Sequence, residues 1–216
     1  MRPHKHGDEN TVRRYTAAQR VNHWITAISL VLLALSGMSM FHPSLFFLTD
    51  LFGGGQHARQ VHPWIGVVLA LSFLGLFIRF WRANLWVGDD STWIGRIGDV
   101  LRGEEEKLPE IGKYNAGQKL VFWGMCLLIL LLLVTGLLIW DTYFFAYTTI
   151  DQKRLAILLH AMGAVAAILI LVAHVYAALW VKGTVRAMTD GTVSGGWAWR
   201  HHRKWLREEV AKDHRP

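Results

Sequence analysis

Four histidines in this sequence lie within or at the ends of long apolar runs, where a polar ring is costly and usually functional. They are His23, His62, His160 and His174. Neutral imidazole is a strong ligand for iron, and iron held by two protein ligands suits electron transfer better than oxygen binding. We therefore expect these side chains to hold redox-active iron.

The spacing of two of these histidines indicates two separate metal centres along one helix. His160 and His174 are 14 residues apart in one apolar run. In an α-helix this separation is about 40° short of four turns, so both rings share one face. They are about 21 Å apart along the axis at about 1.5 Å per residue, which suits two stacked haems and not one metal centre. Gly163, Ala164 and Ala167 fall near the same face, where we expect a flat macrocycle to approach.

The type of haem follows from the single cysteine, Cys126, which lies inside an apolar run. One cysteine excludes an intrachain disulfide, an iron-sulfur cage and a C-x-x-C-H covalent haem attachment. Haem bound by this chain is therefore expected to be non-covalent, as b-type haem is. The remaining histidines lie in polar termini or in the first connector, and we assign them no ligand role.

Four apolar runs are predicted to carry these histidines: 24–41, 64–81, 120–140 and 155–181. A helix needs about 20 apolar residues to cross a hydrocarbon core of about 30 Å. Hydrophobic residues make up 52% of the chain and charged residues only 18%. The sequence predicts an all-α membrane protein, a four-transmembrane-helix bundle enclosing two b haems as a single domain over 1–216.

Lysine and arginine cluster on one side of the predicted spans. Five precede the first span, six lie in or beside the second connector and eight follow the fourth span, whereas the other two connectors hold three. By the positive-inside rule, both termini and the connector 82–119 are cytoplasmic, and 183–216 is a basic cytoplasmic tail. At the resulting depths, His23 pairs with His174 at the cytoplasmic level, and His62 pairs with His160 at the periplasmic level.

Three alternatives compete with haem binding and electron transfer. A lone histidine at a helix mouth is often only an interfacial polar group, and for His62, followed by Pro63, that alternative is favoured in isolation. The set of four, sorted into two pairs, favours haem. A transporter or ion channel predicts acidic residues within the spans, and the four apolar runs contain no Asp or Glu. The net charge is +7, but the basic residues flank the apolar runs, so nucleic acid is not an expected partner.

From Arg20 to about Trp205, the chain resembles the cytochrome b556 (gamma) subunit of respiratory, membrane-bound formate dehydrogenases. The resemblance is carried by four segments: 20–24 (RVNHW), 62–66 (HPWIG), 112–119 (GKYNAGQK) and 174–183 (HVYAALWVKG). Cytochrome b subunits of hydrogenases and other molybdenum oxidoreductases share the four-helix, four-histidine plan. The run 112–119 is the most specific segment and favours formate dehydrogenase over these competitors.

The resemblance implies that the four histidines ligate two b haems in the pairs given above. It also implies a site for menaquinone or ubiquinone at Asn115, Gly117 and Gln118, beside the haem held by His174. From the residues alone, Asn115 is equally well an N-cap, because Gln118 follows it by three positions.

The implied partners are an iron-sulfur beta subunit on the periplasmic side and a molybdenum or tungsten alpha subunit that oxidises formate. The chain is then not catalytic alone for formate, but carries electrons across the bacterial inner membrane to quinone within the complex.

Overall fold

The computed structural model describes residues 11–104 and 108–213, with side chains described as far as residue 211. Residues 1–10 lie outside the described residues. So do four of the cationic residues that contribute to the predicted topology, Arg2, Lys5, Lys107 and Arg215.

The described elements follow one another along the chain with few long connectors. They are β1 (Thr11–Arg13), α1 (Ala17–Phe41), α2 (Gly55–Phe80), α3 (Gly88–Gly95), α4 (Ile97–Arg102), α5 (Ala116–Ile139), α6 (Asp141–Phe144), α7 (Ile150–Trp180), α8 (Arg186–Thr189), β2 (Thr192–Ser194), α9 (Gly195–His201) and α10 (Arg203–Asp213). Short 3-10 helices occur at Pro43–Phe52, Arg82–Asn84 and Phe145–Tyr147.

Helices α1, α2, α5 and α7 are long and apolar enough to cross a membrane. The predicted all-α membrane fold with four spanning helices is therefore confirmed. Each helix begins before the apolar run that predicts it, and α2, α5 and α7 end one residue before their runs do. Asp151 is consequently in the first turn of α7, ahead of the apolar part.

Reciprocal caps explain why three of these helices begin in polar sequence. In each cap, the side chain of the first residue accepts a hydrogen bond from the backbone N–H three positions on, and the glutamine there accepts one from the N–H of the first residue. The pairs are Thr16 with Gln19 before α1, Asn115 with Gln118 before α5, and Thr149 with Gln152 before α7.

One compact unit consists of 21–79 and 123–175, and it contains most of the four long helices. Polar contacts join α1 to α2, because Asn22 Nδ2 donates to the Ser72 carbonyl over 3.1 Å and the hydroxyls of Thr26 and Ser72 are 2.7 Å apart. The rings of Trp64 and Trp140 meet edge to face at 5.2 Å. Such contacts satisfy polar groups that lipid cannot.

The other compact unit consists of the described residues in 11–20, 80–122 and 176–213. Its β1 and β2 pair antiparallel, with Val12 opposite Val193. Around this ribbon lies a small buried core formed by Tyr15, Ala187, Val193, Trp197, Ala198 and Trp205. The sequence does not predict this ribbon, because a three-residue strand has too little alternation to be detected.

Candidate functional site

Helices α1 and α7 bring His23 and His174 together. Their ring centroids are 6.3 Å apart, and the ring planes are tilted by 51°. His23 Nδ1 is buried and has no hydrogen-bond partner among the described residues.

Helices α2 and α7 bring His62 and His160 together in a second pair. Their ring centroids are also 6.3 Å apart, with the planes at 63°. Each ring has a hydroxyl beside it: Ser36 Oγ on α1 is 2.7 Å from His62 Nδ1, and Thr135 Oγ1 on α5 is 2.9 Å from His160 Nδ1. The four predicted histidines thus form the two pairs that their depth suggests.

The spacing of both pairs fits a metal ion held between two imidazoles. An imidazole nitrogen binds a first-row metal ion at about 2 Å and lies about 1 Å from its own ring centre, so two rings sharing one ion have centroids about 6 Å apart. The observed 6.3 Å between ring centroids in each pair agrees with this distance.

Glycines lie close to the rings of the second pair. A Cβ added at Gly136 meets His160 Cε1 at 3.3 Å, and one added at Gly37 meets His62 Cε1 at 3.6 Å. A Cβ at Gly163 instead meets Leu131 Cδ2 on α5 at 3.1 Å. Gly163 therefore packs α7 against α5, because close helix contact in membranes favours small residues. The approach of a flat macrocycle at this face stays a prediction.

The predicted quinone residues lie in the first turn of α5. The backbone N–H of Gln118 donates to Asn115 Oδ1 over 2.9 Å, and that of Asn115 donates to Gln118 Oε1 over 3.0 Å. A Cβ added at Gly117 meets the indole of Trp93 on α3 at 3.3 Å. The interpretation of Asn115 as an N-cap is thus correct, and Gly117 lets α3 approach this turn.

A buried ion pair beside this turn is absent from the sequence-based predictions. Lys119 Nζ donates to Asp90 Oδ2 over 2.6 Å, and the two side chains are only 6% and 4% exposed. Lys119 also donates to the Leu85 carbonyl over 2.9 Å. Both side chains line a cavity of about 330 Å³ that Ile111 and Tyr114 also border. Asp90 stands one helical turn before Trp93, and that spacing is the signal for a buried face of α3.

His202 was assigned to a polar terminus, and the structure corrects this environment: its side chain is 1% exposed. Its Nδ1 lies 2.7 Å from the Gly112 carbonyl and its Nε2 lies 3.3 Å from Arg14 Nη2. Burial, followed by the positive charge of Arg14, lowers the pKa of His202 to about 3. His202 is thus an uncharged structural residue that joins the tail to Gly112 and Arg14.

The sequence of this chain is similar to one protein family and to several known proteins. A family model described as prokaryotic cytochrome b561 matches residues 14–191. The cytochrome b556(fdo) subunit of formate dehydrogenase from Escherichia coli K12 is 45% identical over 92% of this chain and 93% of its own length.

Two further relatives carry related names. The cytochrome b556(Fdn) subunit of the nitrate-inducible formate dehydrogenase of the same strain is 41% identical over 88% of this chain and 87% of its own. A formate dehydrogenase cytochrome b556 subunit from Haemophilus influenzae is 37% identical over 94% and 85%.

Proposed function

This chain belongs to the prokaryotic cytochrome b561 family, and from that premise we propose that it is the membrane subunit through which a formate dehydrogenase passes electrons to quinone. The family makes it a multi-pass membrane protein with a haem b electron-transfer role. The observation that carries the finer proposal is the pair of imidazole contacts, each with 6.3 Å between ring centroids.

In this proposal His23 and His174 hold one b haem, and His62 and His160 hold the other. A bound haem supplies a one-electron carrier. The two imidazoles of each pair would both bind the iron, which would keep small ligands away from it. The four apolar helices around the histidine pairs keep water away from the site and give it a low dielectric constant.

The proposed orientation follows from the distribution of cationic residues. Both termini and the connector 82–119 are cytoplasmic in the inner membrane, and the short connectors with few cations are periplasmic. Electrons then enter at the His62 and His160 pair from a periplasmic iron-sulfur subunit. They leave at the His23 and His174 pair. The names of the three relatives support a formate dehydrogenase complex as the source. In this proposal its formate-oxidising subunit carries molybdenum or tungsten.

The proposed quinone site comprises Asn115, Gly117 and Gln118, beside the haem held by His174. The reciprocal cap uses the carbonyl oxygens of both amide side chains and leaves their NH₂ groups to donate to quinone carbonyls, whether of menaquinone or ubiquinone. A Cβ at Gly117 would lie 3.3 Å from the indole of Trp93, so glycine at this position lets α3 pack against the proposed site.

The test is formate-driven quinone reduction by the full complex in proteoliposomes, with the catalytic partners facing outward. Inward electron flow opposes an inside-negative potential at about 2.3 kcal/mol per charge per 100 mV for the full membrane thickness, so the donor must be strongly reducing. We expect an inside-negative potential to develop, which an ionophore abolishes without stopping quinone reduction. Quinone reduction that generates no potential in sealed vesicles contradicts the proposal.

A further inference from the structure

The two histidines of one pair each have a hydroxyl group at Nδ1, supplied by a different neighbouring helix. Ser36 on α1 is fully buried and lies 2.7 Å from His62 Nδ1. Thr135 on α5 is 3% exposed and lies 2.9 Å from His160 Nδ1. Neither Ser36 nor Thr135 is among the site residues predicted from the sequence.

The direction of both hydrogen bonds follows from the other contact of each hydroxyl. Ser36 Oγ is 2.8 Å from the Leu32 carbonyl, and Thr135 Oγ1 is 2.7 Å from the Leu131 carbonyl. A carbonyl only accepts, and a hydroxyl has one hydrogen, so each hydroxyl donates to its own helix backbone. The hydroxyl oxygen must then accept from the histidine, whose Nδ1 therefore carries a hydrogen.

This arrangement selects one tautomer of each ring. With hydrogen on Nδ1, the neutral imidazole presents Nε2 as its free lone pair, which is the nitrogen available to a metal ion. A hydrogen bond from Nδ1–H also fixes the ring orientation and raises the basicity of the ligand. A more basic ligand favours the oxidised, more positively charged iron, and so lowers the reduction potential.

The other histidine pair lacks this support. His23 Nδ1 is buried and has no hydrogen-bond partner among the described residues. His174 contacts the His23 ring, and no hydrogen bond from a hydroxyl to His174 occurs within the part of the chain that the structure describes. The two pairs thus share their spacing and differ in what their Nδ1 atoms contact.

We propose that Ser36 and Thr135 are positioning residues that lower the reduction potential at the His62 and His160 pair below that at the His23 and His174 pair. The inference rests on the proposed function, which places a haem in each pair. It supplies a reason for one-way transfer: electrons that arrive at the hydroxyl-supported pair move downhill to the unsupported pair, inward against the membrane potential.

The test is a redox titration of the full-length chain with its haems, followed by absorbance. Thr135→Val keeps the side-chain shape and removes the hydroxyl. We expect the ratio of oxidised to reduced iron in the lower-potential component to fall about tenfold at a fixed potential, a positive shift of about 59 mV for one electron. The higher-potential component should not move, and adding Ser36→Ala should enlarge the shift.

Matched variants separate this role from a packing role. Thr135→Ser and Ser36→Thr retain a hydroxyl and should restore the original potential. Ser39→Ala removes a hydroxyl that is 2% exposed and bonds only the Ser36 carbonyl, so it should shift neither component.

Haem content, measured by pyridine haemochrome, keeps the two proposals apart. Fewer than two haems in the unaltered chain contradicts the proposed function. Two haems with an unshifted lower-potential component in the Thr135→Val and Ser36→Ala double variant overturns this inference alone, and so does a shift confined to the higher-potential component.

Discussion

Asn115 and Gln118 cap the first turn of α5 for each other, with backbone N–H groups donating to the side-chain oxygens over 2.9 and 3.0 Å. From the sequence, a helix cap and a quinone contact are alternatives for these residues. In the structure the two roles are compatible, because the cap uses only the oxygens and the proposed quinone contact uses the NH₂ groups. The two roles are therefore separable by substitution.

Gln118→Glu tests the NH₂ group of Gln118 without removing the cap, since glutamate is as good as glutamine at this position. We expect quinone reduction by formate to slow about tenfold, the worth of about one hydrogen bond, while both haem spectra persist. Gln152→Glu, in the equivalent cap of α7, is the matched control and should leave the rate unchanged. A full rate in the Asn115→Asp and Gln118→Glu double variant would reduce both residues to a helix cap.

Gly136→Ala should disturb one histidine pair selectively. The added Cβ meets His160 Cε1 at 3.3 Å, a crowded distance, whereas the Cβ of Gly37→Ala meets His62 Cε1 at 3.6 Å, an ordinary contact. Overpacking in a tightly packed site typically costs about 1 to 3 kcal/mol. We expect Gly136→Ala to alter or weaken the haem at this pair and Gly37→Ala to leave it intact, as read from the low-temperature absorption spectrum. Identical spectra for both variants would show that the His160 ring has room to move.

Asp90→Asn should destabilise the first turn of α5, because it leaves the Lys119 ammonium buried without its carboxylate. Breaking a buried ion pair by removing one partner costs about 3 to 5 kcal/mol. Asp89→Asn is the matched control, since Asp89 and its partner Lys204 are about half exposed, and such pairs are worth about 0 to 1 kcal/mol. The measurement is the temperature at which detergent-purified chain loses its haem absorbance. Equal temperatures for the two variants would contradict a role for the buried pair in stability.

His202 predicts a pH dependence for the attachment of the tail. The pKa of His202 is about 3 in the folded chain and 6.5 ordinarily. At low pH, His202 therefore binds a proton more strongly when the tail is detached than when it is packed in place, and protonation favours detachment. The stability contributed by this group is fully present above about pH 6.5 and is lost as the pH falls toward about 3. Hydrogen-exchange protection of Gly195–His201 should fall over that range. His202→Gln, which has a donor and an acceptor and does not titrate, should flatten the dependence; an unchanged slope would refute it.

Much of this architecture could be predicted because membrane insertion depends on local sequence. Long apolar runs specify the four helices, and histidine depth within those runs specifies the pairs, since α7 places His160 and His174 on one face. The hydroxyl partners could not be found in this way. Ser36 and Thr135 have no signal of their own, and their contacts with His62 and His160 depend on how three helices pack.

The extramembrane part shows the same limit. Asp90 and Lys119 are 29 residues apart and belong to segments that read as a charged connector. Their burial follows from the packing of α3 against the first turn of α5. The hydrophobic periodicity of α3 is a weak signal for this packing, because the helix has only eight residues. Val12 and Val193, which pair in the two-stranded sheet, are even farther apart in the sequence.

The most direct test of two separate histidine pairs is haem content in paired substitutions, measured by pyridine haemochrome on the purified chain. The unaltered chain should contain two b haems. The double variant His62→Ala and His160→Ala removes both ligands of one pair and should retain one haem, whereas His62→Ala and His174→Ala breaks both pairs and should retain none. A single haem in the unaltered chain, or the same haem content in the two double variants, would contradict the account.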